Sequence, residues 1–310
     1  MVICIETDEN NIPQIQLGQH LLRLDAEELG PKDKKRAEEE IRETPENVRY
    51  GLTKLREFIE AEPDFYVPLD DDNYLIKFLR PCRYIPENAF KIMKRFYYFK
   101  VKYPKYGFDI TPASIRQVFD TEVFKFLPTR TSTGCRIMTI SVANWDTKKV
   151  TMEELFKAVM VSMEIAMLEP KTQLGGVHVI LDTGGLSLMH IYQFSPSLAK
   201  IMLEWIQECV AVRLKGIHIL NQPLIFNMGY KIFKPFLGER IKKLLFFHGQ
   251  NRQVLLEHIS PEALTPQYGG TADVPDYPGT LFSDMLFYYE EDFQLYNTYG
   301  YKSAQKKIEQ

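Results

Sequence analysis

The spacing of apolar residues changes along the chain, from three- and four-residue steps to short β-branched runs, and the change marks a new kind of element. Val48, Leu52, Leu55, Phe58 and Ile59 recur at three- and four-residue steps after Thr44-Pro45-Glu46, which predicts a capped helix with Pro in its first turn. Tyr74, Leu75, Phe78 and Leu79 repeat the pattern behind Asp70-Asp71-Asp72, acids that suit a helix N-terminus. A further helix opens at Pro86 and runs through Phe99. Before these, residues 1 to about 24 read as irregular and residues 31–42 as a solvated helix of mixed charge.

Beyond a Pro- and Gly-punctuated connection over 103–133, short β-branched runs take over. Arg136 to Val142, Gly176 to Leu181, Gly216 to Leu220 and Leu244 to Phe247 read as strands. Met152 to Leu168 and Ser195-Pro196 through Cys209 read as helices between them. Strands alternating with helices predict an α/β fold with a largely parallel sheet covered on both faces. The chain divides into a flexible N-terminus (1–30), a helical subdomain (31–103), the α/β domain (104–272) and a C-terminal tail (273–310) with a helical pattern over 281–296.

Residues 216–247 carry the strongest functional signal. Pro223 suits a helix start, after which Phe226, Gly229, Ile232, Phe233, Phe236 and Leu237 share one face. Lys231, Lys234, Arg240, Lys242 and Lys243 fall mostly elsewhere, and Pro235 should kink or divide the helix. Taken alone the segment reads either as a surface helix packed on a sheet with a solvated basic face or, given aromatic residues beside concentrated positive charge, as a helix that exchanges a protein core for a membrane interface.

Composition narrows this further. Lys plus Arg number 38 against 41 Asp plus Glu, a net charge of -3, so nothing global suggests nucleic acid and any basic site is local. Cys4, Cys82, Cys135 and Cys209 lie far apart without C-x-x-C spacing, which fits unpaired thiols in a reducing compartment. No signal peptide or bilayer-length apolar run is visible. The expected location is therefore the cytoplasm, with reversible membrane association.

Catalytic motifs are not apparent. Asp182-Thr183-Gly184 has the wording of an aspartic-protease triplet, but Gly185 follows, no second triplet exists and the setting is α/β, so it reads as a strand-end turn. Gly-rich phosphate loops, H-E-x-x-H and G-x-S-x-G are missing from the sequence, and the expectation is no catalytic residue, no metal and no enzyme activity. His178 and His218 each stand third in a Gly-led strand, as packed or hydrogen-bonded sheet residues. By contrast, Trp145, Val159, Met163, Leu181, Leu188, Tyr192, Phe194, Met202, Trp205, Ile206 and Ile217 exceed what so small a sheet needs for its core. Together they suit the walls of a cavity, with Ser162 or Tyr192 as its polar group.

The succession GVHVILDTGGLS, FSPSLAKIM, VRLKGIHILNQPLIFNMGYKIFKPFLGERIKK, FHG and LTPQYGG resembles the CRAL-TRIO lipid-binding family, in particular the branch of α-tocopherol transfer protein, cellular retinaldehyde-binding protein and clavesin. DDDNYLIKFLRPCRYIPENAFKIMKRF similarly resembles the helical module that precedes that domain, with Pro81 and Cys82 where the family more often has Ala-Arg. The resemblance implies a helical bundle, a five-stranded mixed sheet, a deep apolar cavity and a helical gate over residues 223–243, with Phe226, Ile232, Phe233 and Leu237 facing the ligand. Arg213, Lys215 and Arg240 match phosphoinositide-binding positions of the tocopherol-transfer member; a further one falls on Leu244, beside Lys243. The implied protein is a monomeric carrier that needs no cofactor and holds one bound hydrophobic lipid, such as a tocopherol, retinoid or carotenoid. It would exchange that cargo at phosphoinositide-containing membranes. An endosomal phosphoinositide-binding trafficking adaptor is the alternative.

Overall fold

The computed structural model describes residues 3–305, apart from 10 and 25. Its centre is a five-stranded sheet of Phe124–Arg130, Arg136–Ser141, Val177–Asp182, Leu214–Leu220 and Leu245–Gly249, lying side by side in chain order. The first pair is antiparallel and the remaining three are parallel.

That order decides where the helices go. Parallel crossovers are right-handed, so strands added always on the same side carry every connecting segment over the same face. Met152–Ala166, Pro196–Glu204 and the segments that follow Leu220 therefore pile up on one side of the sheet. Register sets the inner surface of that pile: Met138, Val179, Ile217 and Leu245 pair across four strands, and Ile140, Leu181 and Ile219 form the next row.

Among the described residues no crossover helix covers the opposite face. It is covered instead by the chain after the last strand, where Leu255, Ile259, Ala263, Leu264 and Tyr268 pack on Leu127, Ile137, Ile180 and Leu220. The two-sided cover expected from the sequence is present, but the two sides are built differently.

Two regions depart from expectation. Residues 1–24, read as irregular, contain three antiparallel strands, Ile5–Thr7, Pro13–Leu17 and His20–Arg23. Ile15, Leu17 and Leu22 are wholly buried, and Gly18 turns the second hairpin at φ +62°. The short strands bury alternate residues, a two-residue period too brief to stand out. Within the connection 103–133, Phe124–Arg130 is a full strand despite Pro128, because an edge strand tolerates a missing donor.

The helical module packs Pro45–Glu60, Asp72–Leu79 and Pro86–Lys102 around Leu55, Phe78, Leu79 and Met93. Asp71 caps its helix by accepting from Tyr74 N at 3.0 Å, and Thr44 caps by accepting from Asn47 N at 3.2 Å. The tail is helical over Gly279–Phe287 and Glu290–Tyr296, and Gly300–Tyr301 pairs with Phe65–Tyr66 in the module. Tyr296 lies against Lys77, whose ammonium sits 4.4 Å from that ring and 3.8 Å from Tyr74. Burial pulls the Lys77 ammonium down to about 7, against the opposing field of Glu164.

Candidate functional site: an apolar cavity with a helical gate

Between the sheet and its crossover helices lies a cavity of about 310 Å³. Its floor is the two rows of sheet residues just named, and its sides come from Phe156, Val159 and Met163 of the Met152–Ala166 helix together with Met202, Trp205 and Ile206. Thr151 fixes the first helix through a capping box with Glu154, which sets the pitch at which these residues face inward. Trp205 begins a π-helical turn over Trp205–Cys209 that widens the end of the preceding helix.

The gate closes the open side. Its first helix is Phe226–Phe233, then Lys234–Phe236 forms a 3₁₀ turn at Pro235, and Glu239–Lys242 makes a short second helix. The division expected at Pro235 is thus observed. Phe226, Tyr230, Phe233 and Leu237 line the cavity. Phe233 meets Phe194 edge-on at 5.2 Å, and Tyr230 stacks on Phe226 and meets Phe247 of the last strand edge-on at 5.4 Å. Gly229 lets the gate approach the Leu188–Ile191 helix, since a Cβ there would sit 2.9 Å from Ile191 Cδ1.

A single amide ties down the gate's hinge. Gln207 Oε1 accepts from Gly238 N at 2.6 Å, while its Nε2 donates to Phe236 O at 3.1 Å and to Leu203 O at 3.0 Å. The π-helical turn that carries Gln207 also delivers Trp205 and Ile206 to the cavity wall.

The expected wall residues Val159, Met163, Leu181, Phe194, Met202, Trp205, Ile206 and Ile217 line the cavity, as do Phe226, Phe233 and Leu237 of the gate. Four others stand elsewhere. Ser162 is fully buried with an unpartnered hydroxyl but is not part of the wall. Ile232 is half-buried outside the lining. Leu188 and Tyr192 are exposed, Tyr192 at 74%, on and just after a helix of four residues. With Met189, Leu224 at 93%, Met228 and Phe247 they make a set of exposed apolar side chains on the gate and the elements it touches.

The basic residues also separate into two groups. Arg240 and Lys243 are exposed on and beside the second gate helix. Arg213 is half-buried: it donates to Leu174 O and pairs with Glu40 at 3.6 Å, and desolvation lowers its pKa against the field of Glu40. Lys215 is half-buried on the neighbouring strand.

On the opposite face of the sheet three imidazoles form a hydrogen-bonded ladder, with His178 Nδ1 and His218 Nε2 3.0 Å apart and His218 Nδ1 and His248 Nε2 also 3.0 Å apart. Burial, with Lys215 and His258 nearby, lowers His178 to about 4; burial and the neighbouring imidazoles lower His218 to about 3. His248 is lowered too, chiefly by burial, and its Nδ1 is buried without a partner. The expected role of His178 and His218 as hydrogen-bonded sheet residues is what the structure shows. Among the described residues no group of three or more His, Cys, Asp or Glu is placed to hold a metal ion, and no helix is long and apolar enough to cross a membrane.

Sequence reasoning placed Gly229 on the gate face, where the structure has it, but missed Tyr230, Thr183 and Gln207. Steps of three, four and four residues from Phe226 through Gly229 and Phe233 to Leu237 mark the gate face, and Tyr230 joins it four residues after Phe226. Gln207 leaves no such signal, because its partners lie about 30 residues away.

A mostly parallel sheet with crossover helices on one face, an apolar cavity beneath them and a hinged helical cover defines the hydrophobic-ligand-binding class of α/β proteins. Residues 120–270 match the CRAL/TRIO domain, the family that the motif succession resembles. Clavesin-2 of Homo sapiens is 26% identical over 284 residues, covering 91% of this chain and 86% of that protein. The alpha-tocopherol transfer protein-like protein of Mus musculus is 28% identical over 258 residues, covering 83% of this chain and 75% of that one. The crystal structure of Sfh5 aligns with a TM-score of 0.44 at 12% identity, over 86% of this chain and 99% of that one.

Proposed function

We propose that the protein is a non-enzymatic carrier that takes one small hydrophobic molecule from a membrane, shields it in transit and returns it through the gate. The observation that carries this reading is the cavity whose wall is completed by Phe226, Tyr230, Phe233 and Leu237 of the gate, so that opening the gate and exposing the cargo are one motion. Burying roughly 400 Å² of apolar cargo at about 25 cal/mol per Å² contributes on the order of 10 kcal/mol before entropic costs. Release into water is therefore slow. A membrane lowers that barrier by accepting the exposed side chains Leu188, Met189, Tyr192, Leu224, Met228 and Phe247.

Exposed Arg240 and Lys243, with Lys231 and Lys234 on the gate, supply the attraction to an anionic surface, at about 1 kcal/mol each. A phosphoinositide head group is the anion this reading assigns to them. Arg213 joins only by giving up Glu40, and Lys215 by leaving a half-buried position. Association with the membrane is peripheral and reversible, and the protein acts as a monomer without a cofactor.

Mass spectrometry of lipids that copurify with the native protein tests the reading, beside the double variant Phe233→Asp, Leu237→Asp. One stoichiometric hydrophobic species that is lost in the variant supports the carrier. A protein that holds no lipid in either form overturns it in favour of a phosphoinositide-binding trafficking adaptor.

A further inference from the structure

Trp205 opens the π-helical turn behind the cavity and is only 1% exposed. Its ring meets Phe156 of the Met152–Ala166 helix edge-on, with ring centres 5.9 Å apart, which fixes the plane of the indole. Two other side-chain donors of the wall are spent within the protein: Trp145 Nε1 donates to Val150 O at 2.8 Å and Thr183 Oγ1 donates to Leu220 O at 2.7 Å. Trp205 Nε1, by contrast, makes no hydrogen bond among the described residues. Nor is that nitrogen sealed in the packing, as the unpartnered Ser162 Oγ and His248 Nδ1 are. It borders open space, and the open space beside Trp205 is the cavity.

Resting on the carrier reading above, we propose that Trp205 selects the cargo by its polar group: the indole Nε1–H donates to one uncharged acceptor oxygen, a carbonyl or an ether, on an otherwise hydrocarbon molecule. An indole N–H donates and cannot accept, so it matches an oxygen that accepts and need not donate. Alone in an apolar pocket the N–H forfeits the hydrogen bond that water would give it, and a cargo that supplies an acceptor restores one. A carboxylate fits poorly, because among the described residues no Lys, Arg or His lines the cavity to offset its charge. The Tyr230 hydroxyl rides on the gate and leaves with it, whereas Trp205 belongs to the wall. The cargo therefore keeps its anchor as the cover lifts.

The chain has two tryptophans, Trp145 and Trp205, so the delipidated full chain with isotope-labelled tryptophan gives two indole N–H signals in a nuclear magnetic resonance spectrum. Trp205→Phe assigns them, and Trp145→Phe does so by elimination if the first variant does not fold. Heptadecane, its mid-chain ketone and its terminal methyl ketone are loaded in turn from cyclodextrin. Relative to heptadecane, at least one ketone should move the Trp205 indole proton downfield and leave that of Trp145, already bonded to Val150 O, in place. Affinities follow from displacement of the hydrocarbon fluorophore diphenylhexatriene. The affinity of that ketone relative to heptadecane should fall about 2- to 10-fold in Trp205→Phe, as expected for one neutral hydrogen bond. Taking the ratio within each protein cancels the loss of indole volume, which both ligands feel alike.

A Trp205 signal that both ketones leave where heptadecane puts it, or an affinity ratio unchanged in Trp205→Phe, overturns the inference and reduces Trp205 to packing, while the carrier reading stands. Failure of the fluorophore, heptadecane and both ketones to bind overturns the carrier reading, and this inference with it.

Discussion

Gln207 Oε1 and Gly238 N are 2.6 Å apart, across 31 residues of chain, and this contact joins the cavity wall to the hinge of its cover. The same side chain donates to Phe236 O, so one amide spans the 3₁₀ turn at which the gate divides. Opening the gate about this turn breaks both bonds.

Gln207→Leu should therefore speed cargo release. Two neutral hydrogen bonds contribute about 0.5–1.5 kcal/mol each, which corresponds to a release roughly tenfold faster or more. Stopped-flow transfer of a fluorescent apolar probe to acceptor vesicles measures it. An unchanged rate would show that opening does not pass through this turn.

The two groups of basic residues should separate in experiment. Arg240→Glu with Lys243→Glu is expected to slow transfer to anionic vesicles severalfold at low salt and to lose that effect in high salt, where exposed charges are screened. Cargo retention in the absence of vesicles should stay as it is.

Arg213→Ala should behave as a stability variant, because it strips Leu174 O of its donor and leaves Glu40 without this partner. A loss of about 1–3 kcal/mol is expected, seen as a lower urea midpoint. Full stability together with slowed vesicle transfer would instead place Arg213 with the membrane-facing residues.

Acid should loosen the sheet through its imidazole ladder. His178 and His218 titrate near 4 and 3 when folded but near 6.5 when unfolded, so below about pH 6.5 the unfolded chain binds more protons. Their contribution is fully present above pH 6.5 and is lost progressively as pH falls to about 3, by several kcal/mol in all. Urea unfolding of the native chain and His218→Gln at pH 7, 5.5 and 4.5 isolates this: the stability gap between them should shrink as pH falls.

Glu169 offers the opposite case. Burial alone would raise its carboxyl, but the guanidinium groups of Arg136 and Arg130 outweigh that and hold it at about 2. It accepts from Arg136 Nε at 3.1 Å, Arg130 Nη2 at 2.9 Å and Thr172 Oγ1 at 2.6 Å. Its stabilisation is complete above the unfolded carboxyl pKa and disappears only as pH drops toward 2. Glu169→Gln at pH 7 removes the buried carboxylate that Arg136 and Arg130 share and should cost about 3–5 kcal/mol, read from chemical unfolding.

The sequence was most legible where a period runs long. Met152–Ala166, Pro45–Glu60 and the three parallel strands after residue 136 fall close to their expected bounds, and the gate's divided helix was readable from Pro235. Long periodicity did not settle orientation, however. The Met152–Ala166 helix is apolar nearly all round, so spacing alone could not say that Val159 and Met163 meet the cavity and Ser162 does not. Leu188 lies on, and Tyr192 just after, an element of only four residues, too short to have a face, and their exposure depends on how the gate packs beside them. Phe124–Arg130 was hidden by Pro128, which forbids a central strand but not an edge one.

The order of the five strands has a consequence for how such a protein can change over time. Because every crossover falls on one side, the residues that shape the cargo space and those that brace the sheet from behind belong to separate stretches of chain. Substitutions at Val159, Met163 or Phe233 can reshape the interior without touching Leu255, Ile259 or Tyr268. Such a division of labour lets one scaffold be retuned for new contents while its foundation stays the same.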